Sequence, residues 1–219
     1  QDGLAQRYLA EHCPTDPATA PYKLCAYRDR MPQTANDFLW HTDSPFRQIG
    51  WWDGAEAELG ALSKKIIAAY PGDFLSTALV ATGEQMAQIH TGDGLDEGQE
   101  VTRWVVATLL PEQQNLGFLA ARQQNGGVTQ SLFDALNLIH IPVGYLSMLG
   151  LVIVTGWGFR HGRHDLGALA LFTLLALLGN AFINGALSNP HDRYQSRLVW
   201  LATLVVVMAA IDWWERRRA

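Results

Sequence analysis

The chain lacks the motifs that most directly indicate an enzyme. Its 219 residues contain no glycine-rich phosphate loop, nucleophile elbow, paired-histidine zinc helix or EF-hand loop. An acidic loop, TGDGLDEG, surrounds Asp93 but lacks the alternating carboxylate and amide spacing that encloses calcium. The sequence therefore predicts no metal and no cofactor, leaves any catalytic residue unknown, and favours a non-enzymatic function.

Clusters of basic residues are also scarce in the first part of the chain. Residues 1–135 carry 17 acidic against 9 basic side chains, whereas residues 136–219 carry 4 acidic against 7 basic ones. Nucleic-acid binding depends on clustered Lys and Arg that displace counterions from phosphates, so nucleic acid is excluded as a predicted partner. Arginine outnumbers lysine by 13 to 3 and no Asn-X-Ser/Thr sequon occurs, which favours a bacterial envelope protein.

Cysteine is limited to Cys13 and Cys25, and the residues between them include three prolines. Proline prevents a regular helix there, so this segment needs another device to hold it. A disulfide in an oxidising compartment would supply one and would contribute roughly 3 kcal/mol. Two reduced, buried cysteines are the alternative. Because the chain begins at Gln1 and not at Met, we expect a signal peptide or a further membrane helix to precede it.

Long uncharged runs are confined to the last third of the chain. Residues 135–159 and 166–188 contain no Asp, Glu, Lys or Arg, and residues 198–214 contain only Asp212, near the end of that run. A helix needs about 20 apolar residues to span a bilayer. The sequence therefore predicts three transmembrane helices, the third of which can span only if Asp212 lies at the membrane interface.

The predicted fold class is an all-α membrane protein, with an extracytoplasmic helical domain over residues 1–134 and three transmembrane helices over residues 135–219. Helical periodicity, without a useful β alternation, runs through the first domain. Helices are predicted at Leu4–His12, Ala35–Trp40 and Glu100–Leu110, among others. In the helix Glu100–Leu110, four apolar side chains are predicted to face inward, namely Val101, Trp104, Val105 and Leu109.

Basic residues flanking the three runs predict the orientation. Arg160 and Arg163 follow the first run and Arg216, Arg217 and Arg218 end the chain, whereas the opposite loop holds only Arg193 and Arg197. Loops rich in Lys and Arg stay in the cytoplasm. We therefore expect a multi-pass protein of the bacterial inner membrane, with residues 1–134 in the periplasm and the C-terminus in the cytoplasm.

Seven polar residues are predicted to gather at the outer ends of these helices, and we call them the polar cluster. They are His140 on the first span, Asn180 and Asn184 on the second, and His191, Asp192, Arg193 and Arg197 in the following loop. Polar groups at this depth are costly unless they are paired, so they indicate either interhelical bonds or a site.

Two interpretations of the polar cluster remain open. In the structural one, Asn180 or Asn184 bonds His140 and Asp192 pairs with an arginine of its own loop. In the functional one, Arg193 and Arg197 bind the phosphate of an anionic headgroup while His191 or His140 transfers a proton. A haem at His140 is disfavoured, because the other predicted spans supply no second histidine.

Two further features favour an interaction protein. Aromatic residues of the first domain, Trp40, Phe46, Trp51 and Trp52, are candidates for a docking surface, and Gly144, Gly150, Gly179 and Gly185 would permit close helix packing. The sequence thus predicts a non-catalytic accessory or structural subunit of a bacterial inner-membrane complex. Its partners would be membrane lipids and proteins that dock on the periplasmic domain. The alternative is an enzyme or binder of a lipid-linked envelope substrate at the outer leaflet.

Overall fold

The protein, seen here in a computed structural model, is built from helices. The structure describes residues 3–16, 19–32, 34–95, 100–127 and 130–218, with the backbone alone for residues 100 and 101. Within these ranges no β-strand occurs. The α-helices are α1 (Leu4–His12), α2 (Ala35–Trp40), α3 (Pro45–Gln48), α4 (Trp51–Gly54), α5 (Glu56–Ala69), α6 (Pro71–Ala87), α7 (Glu100–Leu109), α8 (Glu112–Leu119), α9 (Gln130–Arg160), α10 (His164–Leu187), α11 (Asp192–Ser196) and α12 (Trp200–Arg218). Two 3-10 helices lie at Lys23–Arg30 and Arg122–Asn125.

Contacts divide the chain into two compact units. The first contains residues 1–81 and 186–189, and the second contains residues 82–185 and 190–219. Helices α6 and α10 therefore contribute residues to both units. The boundary predicted at residue 134 concerns the point where the chain enters a membrane, and it stays a prediction.

The core of the first unit collects around the N-terminal helix. Tyr8 and Leu9 of α1 are buried with Leu24, Phe46 and Leu62. The predicted disulfide is confirmed: Cys13 and Cys25 are bonded, with their Cα atoms 5.5 Å apart. It joins the residue after α1 to the first 3-10 helix, and so restrains the proline-containing segment that cannot be a regular helix.

Local side-chain bonds explain where the short helices of this unit begin. The Thr34 hydroxyl accepts a hydrogen bond from the Asp37 N–H at the start of α2, and the Ser44 hydroxyl accepts one from the Arg47 N–H at the start of α3. Such bonds satisfy amide donors that have no partner within the first helical turn. The predicted helices Leu4–His12 and Ala35–Trp40 are confirmed with these bounds.

The second unit contains three helical stretches that are long and apolar enough to cross a membrane. They are Gln130–Arg160, His164–Leu187 and Asp192–Arg218, the last made of α11 and α12 with a turn between them. Between 22% and 33% of each apolar window is buried within the protein, so most of these side chains are exposed on the chain itself. The three predicted spans are confirmed as helices, and they indicate a multi-pass membrane protein.

Helices α9 and α12 pack through small residues. A Cβ atom on Gly150 of α9 would lie 2.7 Å from Val206 Cγ2 of α12, and one on Gly144 would lie 2.8 Å from Ile89 Cδ1, in the segment after α6. The Gly150 distance is shorter than a van der Waals contact, so a larger residue there would push against α12. Gly179 differs, because a Cβ atom there would have open space around it.

The turn between α9 and α10 lies at the same end of the second unit as the C-terminal part of α12. Arg163 of the turn forms ion pairs with Asp165 and Asp212, and Asp212 also accepts a hydrogen bond from Arg216 Nε at 3.0 Å. The charge of Asp212 is thus compensated by arginines. We call this the arginine end, and we call the opposite end, which carries His140 and residues 191–197, the polar end.

Helix α7 differs from the sequence prediction. Trp104, Val105 and Leu109 are exposed, so the expectation that they face inward is wrong. The apolar pattern fixes which side chains share a face of a helix but says nothing about what covers that face. The side chain of Val101, the fourth residue of the predicted face, lies outside the described residues.

Candidate functional site

The site begins with a buried glutamine near the end of α6. Gln85 has no exposed surface, and its side-chain amide bonds both backbone groups of His191. Its Nε2 donates to the His191 carbonyl, and its Oε1 accepts from the His191 N–H, both at 2.8 Å. One side chain therefore replaces two backbone hydrogen bonds and fixes the start of α11 against α6.

A second amide repeats this pairing on the first membrane helix. Asn137 of α9 accepts from the Thr91 N–H at 2.8 Å and donates to the Thr91 carbonyl at 3.0 Å. The neighbouring Gly92 has a φ angle of +99°, and a Cβ atom there would lie 2.9 Å from Phe133 Cβ. Glycine is required at this position by both the left-handed backbone and the close approach to α9.

His140 is engaged by the same stretch of chain. Its Nε2 lies 2.9 Å from the Ile89 carbonyl oxygen, and the hydroxyl of Tyr145 donates to the Ala87 carbonyl at 2.6 Å. A carbonyl only accepts, so His140 Nε2 carries a proton and is not available to bind a haem iron. We call residues 85–94 the connecting segment, because side chains of α9 and the 191–195 region hold its backbone repeatedly.

Ionic groups complete the attachment of the connecting segment. Asp192 Oδ1 accepts from the His90 N–H at 2.7 Å and lies 2.9 Å from His90 Nδ1. Asp93 Oδ2 accepts from the Arg193 N–H at 3.0 Å, and the Arg193 guanidinium lies 4.0 Å from the other oxygen of Asp93. His191 Nδ1 is 3.7 Å from Asp93. The Arg193 guanidinium of the polar end thus lies beside a carboxylate of the same protein.

A third set of amides joins α10 to α11. Gln195 is fully buried, and it accepts from Asn180 Nδ2 at 2.7 Å while its own Nε2 lies 3.2 Å from Met86 Sδ. Asn180 also donates to the Tyr194 carbonyl at 3.1 Å, and Asn184 donates to the Asn180 carbonyl at 2.9 Å. These bonds satisfy polar groups that would otherwise be costly near a membrane.

The structure brings six of the seven residues of the polar cluster into this network. The exception is Arg197, which is exposed after α11 and has no side-chain hydrogen bond or ion pair to the residues that the structure describes. The expected pairings are different: His140 bonds a backbone carbonyl and not an asparagine, and Asp192 pairs with His90 and not with an arginine.

Comparison with protein-family models, curated proteins and solved structures finds no match to this chain.

Sequence reasoning missed the partners that the polar cluster bonds. Asn137 could have been found, because it lies in the same uncharged run as His140. Gln195 could have been considered for its position in the polar loop. Gln85, Thr91 and Asp93 gave no local signal, since their partners lie about 50 to 100 residues away along the chain.

The chemistry available to this arrangement is limited by its own bonds. His90 with Asp192, and His191 with Asp93, form two separate pairs. Among the described residues, no three His, Cys, Asp or Glu side chains converge as metal ligands would. Most of these polar side chains bond backbone atoms of the connecting segment, of Asn180 or of residues 191–194, so their hydrogen bonds join helices.

Proposed function

We propose that the chain is a non-catalytic accessory or structural subunit of a bacterial inner-membrane complex. The observation that supports this proposal is that the polar cluster and its partners bond one another and the connecting segment. Three of these partners, Gln85, Asn137 and Gln195, are buried amides that bond the His191 backbone, the Thr91 backbone and the Asn180 side chain, respectively. A site for a substrate needs polar groups that point into a cleft, whereas these groups join helices.

The first unit offers a surface for a protein partner. The rings of Trp40 and Trp52 are exposed and their centroids are 6.1 Å apart. An open groove of about 550 Å³ adjoins them, with Leu39, Trp52 and Leu59 in its lining. Exposed tryptophans beside an apolar groove are typical of interaction hot spots.

The other two residues of the candidate docking surface are less open. Phe46 is only 2% exposed, and its ring packs edge-on against Trp52 with centroids 4.9 Å apart. Trp51 is half-buried beneath the Arg47 guanidinium, at 4.8 Å from its ring centroid. We therefore propose Trp40 and Trp52 as the docking surface, with the buried Phe46 ring packed against Trp52.

Charge distribution supports the proposed orientation. The arginine end carries Arg160, Arg163 and Arg216 to Arg218, and its acidic groups Asp165 and Asp212 are already paired. At the polar end, Arg193 lies beside Asp93. By the positive-inside rule we expect the arginine end to be cytoplasmic and residues 1–134 to be periplasmic.

The lipid-linked substrate alternative has less support. A phosphate at Arg193 would have to compete with Asp93, which is within 4.0 Å of the guanidinium and accepts from the Arg193 N–H. Negative charge beside the cation weakens the attraction for an anionic headgroup. Arg197, the second predicted phosphate ligand, is not drawn into the same group of residues.

Copurification from cells in mild detergent separates these functions. We expect Trp40→Ala with Trp52→Ala to remove a copurifying membrane protein while leaving expression and thermal stability unchanged. Leu75→Ala is the matched control, because Leu75 is as exposed as Trp52 but lies on α6 away from the aromatic pair. If partner binding survives the double change, and Arg193→Ala instead abolishes complementation of a deletion strain without loss of stability, the substrate-binding alternative replaces the docking proposal.

A further inference from the structure

Residues 102–127 form a helical hairpin that buries none of its side chains. Helices α7 and α8 contact each other, and every residue from 102 to 127 is exposed or half-exposed. Large apolar side chains are among the exposed ones, with Leu109 at 71%. They are Trp104, Val105, Leu109, Leu110, Leu116 and Leu119. An apolar surface of this extent in a soluble environment indicates a missing neighbour.

The apolar residues of α7 lie on one face of the helix. At 3.6 residues per turn, Val105 and Leu109 project to the same side with Trp104 at its edge, whereas Arg103 projects to the opposite side and Ala107 lies about 160° from Leu109. Thr108 lies between Trp104 and Val105 on this face, and its hydroxyl donates to the Trp104 carbonyl at 2.7 Å. That hydroxyl is therefore satisfied within the helix, as an apolar environment requires.

The rest of the hairpin continues this pattern with little charge. Between residues 102 and 121 the only charged side chains are Arg103 and Glu112. On α8, Leu116 and Leu119 share a face, and Gln114 lies opposite them. A tryptophan, several leucines and a polar opposite face are features of helices that lie in the plane of a membrane interface.

The chain itself holds this hairpin close to the membrane. After α8, Asn125 Nδ2 donates to the Leu119 and Ala121 carbonyls and the Gly127 N–H donates to the Arg122 carbonyl, so the chain folds back on the hairpin. Three Cα–Cα steps separate Gly127 from Gln130, the first residue of α9, and they span at most about 11 Å. The uncharged run begins at Ala135, about 7.5 Å further along the helix.

Exposed apolar side chains also follow the hairpin along the chain. Leu132 and Leu136, in the first turns of α9, are exposed, and so are Leu138 and Ile139 in the uncharged run. Because the uncharged run begins within about 19 Å of Gly127 along the chain, the apolar face of the hairpin is within reach of the headgroup and acyl boundary that α9 would cross.

We propose that α7 and α8 form an interfacial anchor that inserts its apolar face into the phospholipid monolayer at which α9 enters the membrane. Trp104, Leu109 and Leu116 lie among the acyl chains, to a depth of roughly 5–10 Å, while Arg103, Ala107 and Gln114 face water. The occupant of this surface is the phospholipid of the membrane that the three spans cross. This role is independent of the partner proposed for the first unit.

Spin-label accessibility in nanodiscs tests the anchor directly. Both natural cysteines are in the disulfide, so an introduced cysteine is the only free thiol. Leu109→Cys and Leu116→Cys report on the apolar faces, and Ala107→Cys and Gln114→Cys are the matched controls on the opposite faces of the same helices. All four positions are exposed, so the changes leave packing intact, which circular dichroism of each labelled protein checks.

In nanodiscs of phosphatidylethanolamine and phosphatidylglycerol, we expect labels at 109 and 116 to be relaxed by oxygen and protected from a water-soluble nickel chelate. Labels at 107 and 114 should be relaxed by the nickel chelate. Equal nickel accessibility at all four positions would place the hairpin in water and overturn the proposal. Protection of 109 and 116 from both reagents would show a protein neighbour on this face, and it would overturn the proposal as well.

Discussion

At the scale of single residues, the most informative side chain is one that carries no charge. Gln85 is 0% exposed and makes two hydrogen bonds of 2.8 Å to one residue, His191, that is 106 positions away. A buried amide with both groups satisfied stabilises a contact, but the same amide left unpaired destabilises it. The side chain therefore selects one arrangement of α6 and α11 over its alternatives.

Replacing Gln85 by methionine should lower the free energy of unfolding by about 1–3 kcal/mol. Methionine keeps the length of the side chain, so the loss comes from unsatisfied His191 backbone groups and not from a cavity. Equilibrium unfolding of the helical content by SDS in mild detergent would measure the change. Gln88→Met, three residues along, is the control, since the Gln88 side chain bonds none of the described residues. An equal loss of unfolding free energy in both variants would contradict the stabilising role of the Gln85 side chain.

The same scale shows why the polar cluster was only partly predictable. His140 and the asparagines are conspicuous in sequence because polar residues interrupt an apolar run. The partners of His140 and Asn180 include the backbone carbonyls of Ile89 and Tyr194, and every residue has the same backbone. A sequence can therefore indicate that a buried polar group needs a partner, while the identity of that partner depends on long-range folding.

At the scale of helices, lengths and termini were the easiest features to predict. The runs that form α9 and α10 are uncharged over more than 20 residues, and α1 and α2 have the bounds that the sequence predicted. The apolar face of α7 was predicted with the right residues but the wrong surroundings. Its periodicity is a property of the helix alone, whereas its burial depends on what lies beside it.

The close approach of α9 and α10 gives a prediction at the scale of helices. A Cβ atom on Gly158 of α9 would lie 2.7 Å from the Gly167 backbone nitrogen of α10, a contact that cannot be relieved by rotating a side chain. Gly158→Ala should therefore destabilise the unit by about 1–3 kcal/mol, as overpacking does. The measurement is the same SDS titration.

Gly156 supplies the matched control for that change. It lies on the same helix two residues earlier, and a Cβ atom there would meet no atom within 4 Å. Gly156→Ala should leave stability unchanged or raise it by up to about 1 kcal/mol, because alanine favours a helix more than glycine does. Similar losses in the two variants would mean that α9 and α10 do not approach each other at Gly158.

At the scale of the whole molecule, the arrangement of charge is linked to the arrangement of contacts within the second unit. The arginine end joins the α9–α10 turn to the end of α12 through Arg163 and Asp212. At the polar end, Asp192 accepts a hydrogen bond from the His90 N–H of the connecting segment, and Asp93 of that segment accepts one from the Arg193 N–H. The arginine end carries five arginines, Arg160, Arg163 and Arg216 to Arg218, whereas the polar end carries Arg193 and Arg197, and the positive-inside rule rests on this asymmetry.

That asymmetry predicts the topology, which reporter fusions can measure. A fluorescent protein that folds only in the cytoplasm should be active after Ala219 and after Arg163, whereas alkaline phosphatase, active only in the periplasm, should be active after Asn189. The fusions after Ala219 and Arg163 should agree because Arg163 and Arg216 both bond Asp212, which places the two positions at one end of the unit. Reversal of all three reporters would overturn the orientation but keep the three spans. Disagreement between the fusions after Arg163 and Ala219 would instead mean that the third helix does not cross the membrane. The first cause to test would then be a loss of charge compensation at Asp212, which the variant Arg163→Ala would probe.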